Sequence, residues 1–192
     1  MYTSQLVSQI EEISTKNRLF IDSKIKSLSN KQIVWKPTTE NWNIVEILAH
    51  CNAYLNYYIP LIDKAIQTTK FQDSKSQFIS SPLGAATWKS IKLGNENNLK
   101  RKFQSPKKFN PSVHKELIIE DLLNHFYASK TKFHELIECS KNVNLQRVKI
   151  PVSFSNFIRL RLGDILLFIS YHEERHMNQI NNLLIHRGFP KN

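Results

Sequence analysis

The chain has 192 residues, of which 41% are hydrophobic, and it carries 27 Lys and Arg against 16 Asp and Glu, a formal net charge of +11. The length fits one hydrophobic core, and the low count of 4 Gly and 7 Pro excludes a collagen-like or low-complexity chain. No apolar run approaches the roughly 20 residues that cross a bilayer, and residues 1–10 do not resemble a signal peptide. We therefore expect a single domain over residues 1–192, cytoplasmic and without a membrane partner.

Four segments place apolar residues at the three- and four-residue spacing of an amphipathic helix. The predicted helices cover residues 3–28, 43–66, 113–139 and 160–186. Asn43 and Glu46 form a capping-box pattern at the start of the second helix, and Ser112 is the predicted N-cap of the third, which begins at Val113. Residues 144–154 alternate apolar and polar side chains, but we expect an extended connector, because the segment looks too isolated to pair into a sheet.

A long connection, residues 68–112, separates the second and third helices. It contains a short predicted helix around Ala85–Leu93, and a connection of this length is uncommon unless it is a functional lid or an insertion. The surrounding segment 70–115 holds ten Lys or Arg and two acids, so it carries most of the excess charge. These elements predict an all-α protein, a four-helix bundle with a long basic connection between helices two and three.

Two histidines on the fourth helix are candidate metal ligands. His172 and His176 are four residues apart, so they share one helix face with Cβ atoms about 5–6 Å apart. That face is otherwise apolar, and burying two imidazoles without partners costs free energy that a shared metal would offset. His50, in the middle of the second helix, is a third candidate that would complete a three-histidine site with open coordination positions. Taken alone, His50 fits a hydrogen-bonded core histidine better.

The segment His172–His176 also matches the His-Glu-x-x-His pattern of metalloproteases, in which Glu173 would be the general base. No acid follows Glu174, so the downstream ligands of those enzymes are missing and the protease interpretation fails. Glu173 lies about 100° around the helix from His172, which predicts a carboxylate that faces solvent or orients a ligand. Glu46 precedes His50 by one turn, and the capping box already explains it. Both remain candidates for a catalytic carboxylate.

The segments Trp42–His50 and Leu162–Ile180 resemble the DinB-like superfamily of metal-binding four-helix bundles, and the similarity extends over nearly the whole chain. The resemblance implies a divalent metal, zinc or nickel, on the three histidines, and it also implies a homodimer. Characterised members include thiol-dependent transferases and isomerases, and many relatives are described as metal-dependent hydrolases. One departure is Leu160–Leu162 before the fourth helix, where such sequences often have Ser or Thr as the N-cap.

A metal on three neutral imidazoles keeps open positions and lowers the pKa of a bound water or thiol. The sequence therefore predicts a metal-dependent enzyme for a small-molecule substrate, either a hydrolase or a transferase that uses a low-molecular-weight thiol. In the thiol version, basic residues such as Lys100, Arg101 and Lys102 would attract carboxylates to the site. One alternative is a non-catalytic bundle stabilised by its metal.

A second alternative is a nucleic-acid-binding module that acts through the basic 70–115 segment. Trp88, Phe103 and Phe109 are interleaved there with lysines, as in surfaces that bind single strands. A solvated charged loop explains this composition equally well, and the chain matches no known nucleic-acid motif. We therefore consider nucleic acid an unlikely partner.

Overall fold

The computed structural model describes residues 1–94, 104–111 and 118–191. Within these ranges the chain forms six α-helices and one antiparallel pair of strands. The elements are α1 (Thr3–Lys24), α2 (Asn30–Ile33), α3 (Ile44–Thr68), α4 (Pro82–Ile91), α5 (Ile119–Ser140), β1 (Lys149–Val152), β2 (Ser155–Arg161) and α6 (Leu162–Leu184). The predicted all-α bundle is confirmed, with α1, α3, α5 and α6 as its four long helices. Among the helices of the described ranges, none combines the length and the hydropathy that a membrane span requires.

The four long helices pack in the cyclic order α1, α6, α3, α5. Two contacts show that helices α3 and α5 run in the same direction. The Asn52 amide donates to the Leu122 carbonyl at 2.9 Å. One turn further along both helices, His125 Nε2 lies 2.6 Å from Asn56 Oδ1. Parallel neighbours require the chain to return to its starting end, and the 25 residues of α3 span about 37 Å. The long connection between the two helices is therefore a requirement of this topology.

The predicted helix starts are satisfied in two different ways. At α3 the capping box is present, since Glu46 N donates to Asn43 Oδ1 and Asn43 N donates to Glu46 Oε2, both at 2.8 Å. At α6 the backbone N–H of Leu162 donates to the Val148 carbonyl at 3.0 Å. A backbone carbonyl therefore accepts a hydrogen bond at the start of this helix, where related sequences often have a Ser or Thr cap. Ser112 and Val113, the predicted start of the third helix, lie outside the described residues.

The prediction that residues 144–154 stay unpaired is wrong. Strand β1 pairs with β2 in a hairpin that sets Ile150 opposite Leu160. Their side chains and that of Val152 are at most 2% exposed, so the hairpin is stabilised by packing on the bundle. The sequence pattern missed the partner strand because its last two residues, Leu160 and Arg161, were assigned to the fourth helix.

Helix α6 is the central element, since it is covered by α1, α3, α4 and the hairpin. At its start, Asp164 Oδ2 accepts hydrogen bonds from the backbone N–H and the hydroxyl of Ser81, the N-cap residue of α4, at 3.1 and 3.0 Å. Gly84 approaches so closely that a Cβ there would overlap the Asp164 carboxylate. One turn later Trp88 stacks on Tyr171, with ring centroids 5.8 Å apart. A helix covered on so many sides buries polar residues that a surface helix would expose.

Candidate metal centre

Three histidine side chains from two facing helices meet in the core. His50 comes from α3, and His172 and His176 come from consecutive turns of α6. The Nε2 atom of His172 lies 3.2 Å from His50 Nε2 and 3.3 Å from His176 Nε2. The three residues are 3%, 8% and 7% exposed. The structure thus brings the three candidate ligands together, with their ligand atoms all within 4.8 Å of one another.

Hydrogen bonds at the opposite ring nitrogens orient two of these imidazoles. His50 Nδ1 donates to the Phe109 carbonyl at 2.7 Å, and His176 Nδ1 donates to Gln179 Oε1 at 3.0 Å. A carbonyl oxygen only accepts, so the proton of His50 resides on Nδ1 and its Nε2 carries a lone pair. The same assignment holds for His176. Both rings are therefore fixed in the tautomer that binds a metal through Nε2.

The distances fit a cation between the rings. Two Nε2 lone pairs at van der Waals contact repel each other unless a positive group lies between them. A tetrahedral ion with metal–nitrogen bonds of about 2.0–2.1 Å separates its ligand nitrogens by roughly 3.3–3.4 Å. The two shortest Nε2 separations, 3.2 and 3.3 Å, are close to this value. The residues present therefore suit a divalent metal.

The electrostatics of the site keep all three imidazoles neutral. Burial lowers the pKa of His50 to about 4, against the opposing effect of its hydrogen bond to Phe109. Burial, with the nearby His50, lowers the pKa of His176 to about 3. The pKa of His172 falls well below its ordinary value, first through burial and then through the neighbouring histidines. Neutral imidazole is the form that coordinates a metal.

Aromatic side chains surround the histidines. Trp42 lies 4.8 Å from His50, and Tyr54 lies 4.1 Å from His172, measured between ring centroids. Phe109 packs on Tyr54 at 4.3 Å and is 5% exposed. It belongs to a 3₁₀ turn of the long connection, Lys107–Phe109. The connection thus reaches the site and supplies one of the orienting carbonyl groups.

Glu46 and Glu173, the two candidate catalytic carboxylates, both have structural partners. Glu46 accepts from the Asn43 backbone with Oε2 and from Lys36 Nζ with Oε1 at 2.8 Å, at the start of α3. Glu173 does not face solvent, so that part of the expectation is wrong: the residue is 3% exposed. Its Oε2 accepts from Lys130 Nζ at 2.6 Å and from the Asn17 amide at 3.0 Å. This buried ion pair joins α5 to α6, with Asn17 of α1 beside it.

Sequence reasoning missed Asn17, Lys130, Gln179 and the Phe109 carbonyl. Lys130 and Asn17 each interrupt the apolar stripe of their helix, which is a signal for a buried polar cluster. Gln179 follows His176 by three residues and so occupies the same helix face. The Phe109 carbonyl had no local signal, because a backbone group from a distant loop carries no residue preference.

Two aromatic residues in the described part of the basic 70–115 segment pack against the bundle. Trp88 packs on Tyr171 of α6, and Phe109 is buried beside the histidines. Two of the three aromatic side chains that the binding-module alternative needs are therefore engaged in packing. Phe103 and the basic residues 100–102 lie outside the described residues.

Three histidines converge from facing helices of a bundle, and this is the arrangement from which one class of helical bundle proteins builds its metal sites. The chain matches the sequence profile of the DinB superfamily over residues 21–180, a range that contains all three histidines. The protein belongs to this superfamily, so the resemblance seen in the sequence is confirmed. It is 25% identical over 167 residues, 86% of this chain and 91% of the relative, to the uncharacterized protein YuaE of Bacillus subtilis strain 168. No solved structure gave a significant match.

Proposed function

We propose that the protein is a metal-dependent enzyme that binds zinc or nickel through Nε2 of His50, His172 and His176. The observation that carries the proposal is the convergence of three neutral imidazoles, two of them fixed in the metal-binding tautomer. Imidazole suits both metals. Three protein ligands leave the open position that distinguishes catalytic sites from closed structural ones.

The chemistry of the site follows from this ligand set. A divalent metal bound there supplies a Lewis acid that lowers the pKa of a coordinated water or thiol. The protein residues hold the imidazoles neutral, and the aromatic rings of Trp42 and Tyr54 limit the access of bulk water. Lys108 Nζ lies 4.3 Å from the Tyr57 ring and 4.7 Å from the Phe109 ring, so a cation stands beside the site. This charge would attract a small-molecule substrate or thiol that carries a carboxylate.

The two carboxylates favour thiol transfer over hydrolysis. Hydrolysis uses a base that accepts protons from the attacking water. Both oxygens of Glu46 are engaged at the start of α3. Glu173 is held by Lys130 through Oε2, and its Oε1, which has no partner among the described residues, is shielded from solvent because the residue is 3% exposed. A thiol has an ordinary pKa of about 8.5 and ionises on a metal without such a base. We therefore propose a low-molecular-weight thiol as co-substrate.

The first experiment is elemental analysis of untagged protein purified without chelator. We expect close to one metal ion per chain in the wild type. The His50→Ala variant and the His172→Ala/His176→Ala variant should lose it. His134→Ala is the matched control, because His134 is exposed on α5, and it should keep its metal. A wild type that stays metal-free after reconstitution with zinc and with nickel would refute the proposal.

The second experiment tests the chemistry on metal-loaded protein. Thiol transfer to electrophiles and hydrolysis of esters and amides are assayed side by side, with the His172→Ala/His176→Ala variant as the blank. Metal-dependent thiol transfer is the expected result. Metal-dependent hydrolysis would identify the other proposed reaction class. Metal uptake that raises the melting temperature without any turnover would favour the stability-only alternative.

A further inference from the structure

A small cavity lies between α3 and α6 beside the candidate metal ligand His172. Its volume is about 10 Å³, at the lower end of the roughly 10–15 Å³ that one water molecule needs. Most of its lining is apolar, so the few polar groups present decide what it can bind. The cavity is lined by Cys51, Tyr54, Leu55, Ile169, His172 and Glu173.

Glu173, which lines this cavity, has one buried oxygen without a partner within the described ranges. Its Oε2 accepts from both Lys130 and Asn17, whereas Oε1 has no hydrogen-bond partner anywhere in the described part of the chain. A buried carboxylate oxygen without a donor is unfavourable, because it has lost its hydrogen bonds to water and gained none in exchange. The side chain is 97% buried, since its exposure is 3%, so bulk solvent does not supply that donor.

His172 needs the same orientation as the other two ligands. His50 donates from Nδ1 to the Phe109 carbonyl, and His176 donates from Nδ1 to Gln179. For Nε2 of His172 to offer a lone pair to the same cation, the proton of its ring must also be on Nδ1. An acceptor at Nδ1 would therefore complete the set.

We propose that a buried water occupies this cavity, accepts the Nδ1 proton of His172 and donates to Glu173 Oε1. The Cys51 thiol is the third polar neighbour, which gives the water the two to four partners that buried waters have. Glu173 is then a positioning residue that acts on the ligand His172 through the water. The inference rests on the proposed metal site and assigns a role to the neighbouring ion pair.

The ion pair explains how Glu173 controls the direction of these hydrogen bonds. Lys130 has only donors, so it must bond to an acceptor oxygen. In a Glu173→Gln variant the amide oxygen would turn to Lys130, and the NH₂ group would replace Oε1. The water would then accept from the amide and donate to His172 Nδ1. That reversal favours the wrong tautomer, with the proton on Nε2.

Nitrogen-15 NMR of the histidine rings tests the tautomer directly on metal-free protein. In metal-free protein the Nε2 lone pairs of His50 and His176 favour a proton on Nε2 of His172, whereas the water favours a proton on Nδ1. We therefore expect a mixture of the two tautomers in the wild type, with a smaller Nδ1-protonated share in Glu173→Gln. The matched control is Glu174→Gln, the same change one residue later, because Glu174 lies 3.6 Å from Lys16 at the edge of the bundle. It should leave His172 unchanged. A folded Glu173→Gln with the wild-type share of the two tautomers would overturn the proposal.

Zinc affinity, measured by competition with a chromophoric chelator, gives the second readout. Loss of a group that orients a ligand typically weakens metal binding about 10- to 100-fold, which we expect for Glu173→Gln and not for Glu174→Gln. A wild type that binds neither zinc nor nickel would refute the proposed function, while the NMR result would still test the water.

A high-resolution crystal structure of the wild type needs no variant and covers the case in which Glu173→Gln does not fold. Density for a water within hydrogen-bond distance of His172 Nδ1 and Glu173 Oε1 would support the inference. A dry cavity would overturn it.

Discussion

His172 and Glu173 are neighbours on α6, yet they belong to two buried polar clusters that are stabilised in opposite ways. The three histidines facing α3 avoid the cost of burying charge by remaining neutral. The cluster facing α1 and α5 pairs a carboxylate with an ammonium at 2.6 Å. The neutral cluster leaves lone pairs directed at one point, which a cation can use. In the charged cluster the charges of Lys130 and Glu173 largely neutralise each other, so the cluster stabilises the fold and positions neighbouring side chains.

The largest expected effect follows from breaking the charged cluster. Lys130→Met leaves the Glu173 carboxyl group in the core with only the Asn17 amide as a partner, and removal of one partner of a buried pair costs about 3–5 kcal/mol. Urea unfolding of metal-free protein would measure this loss. The double variant Lys130→Met/Glu173→Met should recover most of the stability, because it leaves no buried charge. Equal losses in the single and double variants would mean that the ion pair is not what stabilises this part of the core.

The histidine cluster should respond to metal instead. At zinc concentrations 100 times the dissociation constant, the wild type should gain about 2.7 kcal/mol of stability. His50→Ala should lose this gain, and its metal-free stability should change far less than that of Lys130→Met, because no charge is left unpaired. Thermal unfolding with and without zinc would measure both quantities. A zinc-dependent gain that persists in His50→Ala would contradict the assigned ligand set.

The third prediction concerns the contact between α4 and α6, which involves neither the histidine cluster nor the Lys130–Glu173 ion pair. Gly84→Ala inserts a methyl group against the Asp164 carboxylate, and such overpacking costs about 1–3 kcal/mol. The same change at an open helix position would stabilise the protein, because alanine is the better helix former. An Asp164→Ala background removes the closest obstruction and leaves Ser81 Oγ at 2.7 Å from the added Cβ, so the cost should shrink. Strictly additive effects would show that the two residues do not compete for space.

The smallest expected effect separates the capping role of Glu46 from catalysis. Asn43→Ala removes the side-chain acceptor at the start of α3 and should cost about 1 kcal/mol. Glu46→Gln keeps an acceptor for the Asn43 backbone and loses the charged contact with Lys36, so stability should fall by less than in Asn43→Ala. Metal-dependent turnover should stay close to the wild type. A loss of turnover in Glu46→Gln at unchanged stability would return Glu46 to the list of catalytic groups.

The sequence predicted those features that depend on local pattern. The four long helices and the Asn43–Glu46 capping box follow from residue spacing along one segment. The three histidines were found because each lies on an apolar helix face. The hairpin was missed because its formation depends on the presence of a partner strand. The burial of Glu173 was missed because the residues around it in the sequence do not reveal on how many sides α6 is covered. The single domain and the homodimer remain predictions.

The parallel arrangement of α3 and α5 also bears on how the chain folds. Asn52 and the carbonyl that accepts its hydrogen bond are 70 residues apart, and His50 and His172 are 122 residues apart. Contacts between such distant residues form late, after the chain has lost the entropy of closing large loops. Each doubling of a flexible loop adds only about 0.6 kcal/mol to that cost, so the connection can lengthen or shorten among relatives with little penalty. The ligand set is complete only when the second and last long helices have met, and metal uptake would therefore report on the finished bundle.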